Sequence, residues 1–396
     1  MQNQNSANMT REQKGMIIAK TFRITKTEKG DWKVPSQSGQ GYYIVKFNGH
    51  EPECNCPDCE LRKLKCKHIF AVEFFLKKEI DQEGKLKETK TVKITYAQDW
   101  KAYNTAQTHE KELFLKLLSD LCKNIPNKTY GFGRPTLPLA DMIFASALKV
   151  YTTFSCRRFV SDMREAVENK YTDSVCSYST VSNYMRNPEL TSVLTDLIEK
   201  SARPLKEVET DFAVDSSGFG TSRFDRWYSF KYGKDIESRI WVKAHLMNGV
   251  KTHIVSGIKI TEAYSHDSKE FSELVKATAK TFDINEVSAD KAYSSRNNFE
   301  TVASYGGTAL IPFKSNATGT SRGSKLWNRM FYYFMYKREE FMEHYHKRSN
   351  VETVFHMIKA KFGDFVRSKE WNAQINEVLL KVLCHNICVV IQEMHE

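Results

Sequence analysis

Four of the nine cysteines fall within the thirteen residues from Cys54 to Cys66, and this crowding limits the fold more than any other feature of the chain. Cys54-Asn55-Cys56 is followed, after nine residues, by Cys66-Lys67-His68. Three thiolates and an imidazole satisfy a tetrahedral zinc ion, with ligand bonds of about 2.0 to 2.3 Å, and a shell closed in this way is structural. Ahead of it, short alternating runs between Thr21 and Phe47, parted by Gly-bearing turns, predict a small antiparallel sheet. Behind it, Ile69, Phe70, Val72, Phe74 and Phe75 predict a covering helix. A unit this small, residues 1–80, needs a metal staple to hold its core. The alternative, a set of free buried thiols, finds nothing apolar around Cys54 to Cys59, and Cys59 is a spare ligand. An odd cysteine total argues for a reducing compartment rather than a disulfide framework. Cys122, Cys156, Cys176, Cys384 and Cys388 read as ordinary core residues.

The pattern Cys-x-Cys, nine residues, Cys-x-His behind a sheet resembles the SWIM zinc finger over about residues 20–78. The resemblance implies one structural zinc ion and contact with DNA or protein.

At 396 residues the chain should hold about two or three domains. Its 41% hydrophobic and 27% charged residues exclude collagen, wholesale disorder and a membrane bundle. Fifty-nine basic against forty-eight acidic residues leave +11, which favours a polyanionic partner. Residues 1–9 lack the apolar run of a signal peptide. The most apolar tail segment, Val378 to Ile391, is broken by Lys381, His385 and Asn386. A cytoplasmic protein without a membrane partner is therefore expected.

Residues 81–130 read as a charged connector followed by a helix between Trp100 and Leu121. Residues 131–205 offer only helical stretches, at 138–151, 157–169, 179–186 and 190–202, and so an all-α region. From Asp211 the texture changes to three strand-like runs and then alternating helices and strands, ending in a long helix over about 338–362. The fold class is thus multidomain α/β: a zinc-stapled β+α N-terminal domain, an all-α middle, a mixed-sheet domain over 206–368 with a short insertion near 315–335, and a C-terminal helix over 369–396.

Two carboxylates stand out in the mixed domain. Asp215 closes the apolar run Phe212-Ala213-Val214, and Asp290 closes Val287-Ser288-Ala289, so each would sit at a strand end. On the late helix Tyr345, Arg348, Glu352 and Lys359 stand at offsets 0, 3, 7 and 14, one stripe roughly 60° wide at about 100° per residue, with His356 at its border. Such a stripe alone is usually a salt-bridged, solvated helix face. Asp211, Asp225, Asp283 and Glu343 read as solvated surface acids.

Asp215-Ser216-Ser217-Gly218, Ala289-Asp290-Lys291-Ala292-Tyr293 and the spaced Tyr345, Arg348, Glu352 and Lys359 together resemble the DDE transposases of the insertion-sequence type 4 group, over about residues 209–368. The resemblance implies a ribonuclease-H-like catalytic domain in a prokaryotic, nucleoid-associated protein. It implies Asp215, Asp290 and Glu352 as catalytic ligands of two Mg²⁺ or Mn²⁺ ions, with Asp215 shared between them. Arg348 and Lys359 would face phosphates, and Tyr345 and Tyr293 would pack against a sugar or base. The implied partners are transposon ends, target DNA and a second copy in a synaptic homodimer. Divalent cations answer the electrostatics, since like charges about 4 Å apart repel by roughly 4 kcal/mol at an effective dielectric near 20.

Residues 177–186 predict a short helix whose Ser179, Thr180, Ser182, Asn183 and Arg186 suit base edges or phosphates, as in a helix-turn-helix reader, or else simply face water. Gly133-Arg134-Pro135, Lys149-Val150-Tyr151 and Cys156-Arg157-Arg158-Phe159 resemble the N-terminal helical part of transposases of this group. In the insertion, Lys314, Arg322, Lys325 and Arg329 mingle with Trp327, Phe331, Tyr332 and Tyr333, a mixture suited either to single-stranded nucleic acid or to a core. The rival functions are a DNA-binding regulator without catalysis and a nuclease without strand transfer.

Overall fold

The computed structural model describes residues 9–37, 41–82, 99–126, 137–221, 231, 241–319 and 323–395. Most of the connector, Gly133-Arg134-Pro135, Asp225 and Arg322 lie outside the described residues. The chain forms two compact units, one of residues 1–93, 294–300 and 310–346, the other of residues 94–293, 301–309 and 347–396. The division runs across the sequence boundaries at 205/206 and 368/369.

In the first unit, α1 (Arg11–Thr21) opens on a reciprocal cap: Thr10 Oγ1 accepts from the Gln13 amide at 3.2 Å and Gln13 Oε1 from the Thr10 amide at 2.9 Å. Strands β1 (Thr25–Lys26), β2 (Trp32–Pro35), β3 (Tyr42–Phe47) and β4 (Pro52–Cys54) pair antiparallel in chain order. Alternation buries Trp32, Val34, Val45 and Cys54. Helices α2 (Pro57–Arg62) and α3 (Lys67–Gln82) follow. Gly15 of α1 lies so close to α3 that a Cβ there would stand 2.5 Å from Phe70 Cβ and 2.8 Å from the Lys67 carbonyl.

The late segment of this unit adds α11 (Lys325–Tyr336) and α12 (Arg338–Tyr345). Phe313, Trp327, Phe331, Phe334 and Phe341 meet ring to ring at centroid distances of 4.8 to 5.7 Å. Phe47 stacks on Tyr336 at 5.6 Å. Phe331 and Tyr332 are therefore core, with Trp327 and Tyr333 half-buried at its edge, while Lys314, Lys325 and Arg329 are exposed.

In the second unit, α4 (Trp100–Cys122), α5 (Leu139–Tyr151), α6 (Val160–Glu168), α7 (Tyr178–Met185) and α8 (Glu189–Ala202) precede the sheet. Strands β5 (Asp211–Gly220), β6 (Trp241–Gly249), β7 (Val255–Glu262), β8 (Glu286–Ala289) and β9 (Thr308–Leu310) take the order β7-β6-β5-β8-β9. β6 runs antiparallel to both β5 and β7, and β5 runs parallel to β8. Between them lie α9 (Asp267–Ala279) and α10 (Arg296–Ser304), which is shared between the two units; α13 (Ser349–Phe362) and α14 (Trp371–Glu393) follow. This mixed α/β arrangement is consistent with a ribonuclease-H-like transposase domain.

Residues of α4 to α8, the sheet, α13 and α14 share one apolar core. Buried asparagines on α14 bolt it together: Asn376 donates to the Met185 and Asn187 carbonyls, and Asn386 pairs with both backbone groups of Val255. α14 is apolar enough to cross a membrane by composition, yet 89% of its most apolar stretch is buried in this core.

Two local expectations change. β5 does not stop at Asp215 but continues to Gly220, its ladder to β6 unbroken. The long helix over 338–362 is interrupted by a 3₁₀ turn at His346–Arg348. That turn carries Lys347 and Arg348, whose ammonium and guanidinium are drawn to carboxylates on the sheet.

Candidate active site and candidate metal centre

The first cluster follows from the sheet and two helix starts. Cys54 ends β4, Cys56 caps α2, and Cys66 and His68 begin α3. All four are buried, and their ligand atoms lie within 4.8 Å of one another. His68 Nδ1 stands 3.8 Å from both Cys54 Sγ and Cys66 Sγ, near the roughly 3.6 Å that tetrahedral zinc bonds would set. The Cys54 thiol donates to Cys66, raising Cys54 and lowering Cys66 to about 4. Soft donors, enclosure and spacing all fit zinc. Cys59 remains outside the group.

The second cluster is acidic. Register pairs Val214 of β5 with Ala289 of β8, the last pair of the parallel ladder, so Asp215 and Asp290 are the first residues beyond it on strands about 4.8 Å apart. The carboxyl ends of parallel strands are where open α/β sheets place ligands. Asp290 Oδ1 accepts from the Ala292 amide at 2.9 Å, which turns the chain sharply after β8. Arg348 completes the group: Nη2 donates to Asp215 Oδ2 at 2.6 Å and Nη1 to Glu352 Oε1 at 2.9 Å. Asp215 and Glu352 thus share one guanidinium, within about 8 Å of each other. Burial pushes the Asp215 carboxyl up, Arg348 and the Ser216 amide pull it down, and Asp290 and Glu352 push it up again. Asp290 and Glu352 are thus near enough to act on Asp215, which puts hard oxygen donors of the kind Mg²⁺ or Mn²⁺ prefers in one neighbourhood.

Residues 206–387 match the Transposase DDE domain family. The match supports a DDE transposase, and it takes in all five strands of the mixed sheet together with Asp215, Asp290 and Glu352.

Around these acids lie groups that sequence reasoning passed over. Asp267, first residue of α9, accepts from Ser216 Oγ at 3.1 Å and pairs with the Lys243 ammonium. Its Oδ1 is 3.6 Å from His245 Nδ1. Burial lowers His245 to about 4, so the imidazole is neutral, with Nε2 2.8 Å from Thr261 Oγ1. Ser216 links this group to the acids, because its amide donates to Asp215 Oδ1 at 2.8 Å. Lys243 and His245 alternate on β6, a polar face in an otherwise apolar strand, and that was the available signal. Asp211 is no free surface acid either: it shares Lys347 with Glu286. Asp283 and Glu343 are exposed, as expected.

The residues expected to meet DNA are distributed unevenly. Lys359 Nζ donates to Ser217 Oγ at 2.7 Å, two residues along β5 from Asp215, and burial lowers its pKa. Tyr293 is 1% exposed and packs on Phe271 at 5.7 Å, so it walls the acid site rather than offering a free ring. Tyr345 ends α12 in the other compact unit. On α7, Ser179 and Asn183 are exposed; Ser179 and Thr180 bond Ser177 Oγ at 2.8 Å, and Arg186 pairs with Glu370 at 3.3 Å. Residues 169–177 separate α6 from α7, longer than the three-to-four-residue turn of a helix-turn-helix.

Proposed function

We propose that the chain is an insertion-sequence transposase of the type 4 group, acting on its element's terminal repeats and on target DNA through Asp215, Asp290 and Glu352. The observation that carries this reading is the junction of Asp215 and Asp290 at the end of one parallel ladder, with Glu352 joined to Asp215 through Arg348. Water would attack a phosphodiester at the element end and give up a proton to solvent, while the P–O3′ bond breaks and the leaving 3′-oxygen takes up a proton from solvent to become a hydroxyl. That 3′-oxygen would then attack a target phosphorus, whose own 3′-oxygen leaves.

Asp215, Asp290 and Glu352 would hold divalent cations, which when bound supply activation of the attacking oxygen and charge for the leaving one. Arg348 and Lys359 would bind phosphates flanking the cut, the guanidinium turning from carboxylates to DNA. Asp267, through Ser216, would hold Asp215 in its rotamer. α7 would present Ser179, Thr180, Asn183 and Arg186 to the duplex. Cys54, Cys56, Cys66 and His68 would hold one structural zinc in a SWIM-type module, and a homodimer would bring two ends together.

The test is an incubation of full-length protein with labelled element ends, target plasmid and Mg²⁺. Joined products support transposition, cleavage alone supports a nuclease, and binding without cleavage supports a regulator. Glu352→Gln should bind the ends and cut at least a hundredfold more slowly; unchanged turnover would remove Glu352 from the site.

A further inference from the structure

A cavity of about 220 Å³ opens at the far end of the strand that carries Asp215, where α5, α13, α14 and the loop at 363–367 converge. Four cations line it, Lys149, Lys361, Arg367 and Lys381, against one acid, Glu377. Most of these charges are already engaged. Lys361 pairs with Glu110, Lys381 donates to the Gly363 and Phe365 carbonyls at 2.8 and 2.7 Å, and Glu377 accepts from the Arg367 and Ser368 amides. Arg367 spends one nitrogen on the Phe154 carbonyl at 3.0 Å.

Lys149 differs. It is 5% exposed, and among the described residues it has neither an ion pair nor a side-chain hydrogen bond. Its stem is buried while its ammonium keeps accessible surface in the cavity, where a charge so little hydrated favours an anion that can reach it. The other cations sharpen the demand: burial first, with Lys149 and Arg367 adding to it and Glu377 opposing, lowers Lys381 to about 8. The walls are supplied by three helices and a loop, so donors approach from several directions. That suits a tetrahedral oxyanion better than a planar carboxylate.

We propose that this cavity is a phosphate-binding site, in which Lys149 and Arg367 close on the anion and Lys381 contributes a fixed charge in the wall. The site is coupled to the acids by backbone: the Gly220 amide donates to the Asp364 carbonyl at 3.0 Å and the Val366 amide to the Gly220 carbonyl at 2.8 Å. Gly220 stands five residues from Asp215 on β5, roughly 17 Å at about 3.3 Å per residue. A duplex advances that far in about five base-pair steps of 3.4 Å. A backbone phosphate of bound DNA is one source of the anion, and this part rests on the transposase reading; free inorganic phosphate is the other.

The experiment uses the full chain with inorganic phosphate, compared with chloride at equal ionic strength. Phosphate should raise the thermal midpoint, and Lys149→Met and Arg367→Gln should each weaken phosphate binding about tenfold while leaving far-UV circular dichroism unchanged. Arg367 is exposed, so its variant carries the test if Lys149→Met fails to fold. Displacement of labelled phosphate by a short duplex assigns the site to the DNA backbone; retention assigns it to a free phosphate compound. Asp215→Asn should bind phosphate as the parent does whatever becomes of cleavage, so loss of the transposase reading leaves the site standing. Equal effects of phosphate and chloride, or full phosphate binding by both folded variants, would overturn the proposal.

Discussion

Arg348 sets the electrostatics of the acid site, since one guanidinium answers two carboxylates. Arg348→Gln should therefore raise the Asp215 carboxyl further, as ¹³C-carboxyl NMR titration would register. It should also tighten Mn²⁺ binding in the absence of DNA, read by electron paramagnetic resonance, because the cation no longer competes with an internal one. Asp215 has its pKa raised by folding, with burial the largest cause. A carboxyl raised in this way binds its proton more tightly when folded, so its contribution favours folding at low pH and is lost as pH rises through the folded pKa. At pH 7 without metal the charged group is a burden. Asp215→Asn should then stabilise the metal-free protein in urea melts at pH 7, with the gain shrinking as pH falls into the acid range. Asp215 and Asp290 were legible because each ends an apolar run. Asp267 was not, because its partners Ser216, Lys243 and His245 lie on other strands and only the folded sheet brings them together.

At the scale of elements, periodicity was a good guide to α4 through α8 and to eight of the nine strands except their ends; β4 (Pro52–Cys54) is too short to show an alternation and was missed. What escaped it was decided by contacts distant in sequence. The interruption at 346–348 follows ion pairs from Lys347 to Asp211 and Glu286 that no helical period encodes. β5 outruns its apolar stretch because β6 continues to pair with it as far as Gly220. α1 was passed over although Thr10 and Gln13 spell a capping box, since its few apolar residues give little amphipathic signal. Its crossing with α3 is testable. Gly15→Ala places a methyl against Phe70 and the Lys67 carbonyl and should cost about 1–3 kcal/mol in chemical denaturation of the first unit.

Across the whole molecule, the cysteine cluster and the late helices α11 and α12 belong to one compact body. Full-length protein should carry about one equivalent of zinc, and Cys66→Ser should lose it, as metal analysis would show. Stripping the metal with a chelator should raise hydrogen exchange along α3 and, in the same step, along residues 325–345, since Phe47, Tyr332 and Tyr336 pack together there. Exchange confined to residues 50–70 would contradict a single cooperative unit. The cysteine cluster could be read from spacing and the acid triad was expected only from a family resemblance; the shared body could not be read at all, because it joins segments more than two hundred residues apart.

That shared body bears on the ancestry of such a chain. A module strung on a tether can be gained or shed in one genetic event. Here the N-terminal piece and the insert cover each other's aromatic rings, Phe47 against Tyr336, so deleting either would bare the other. The two must be inherited as a pair, and a natural variant that lacks the cysteine module should also lack α11 or carry polar side chains in place of its tyrosines.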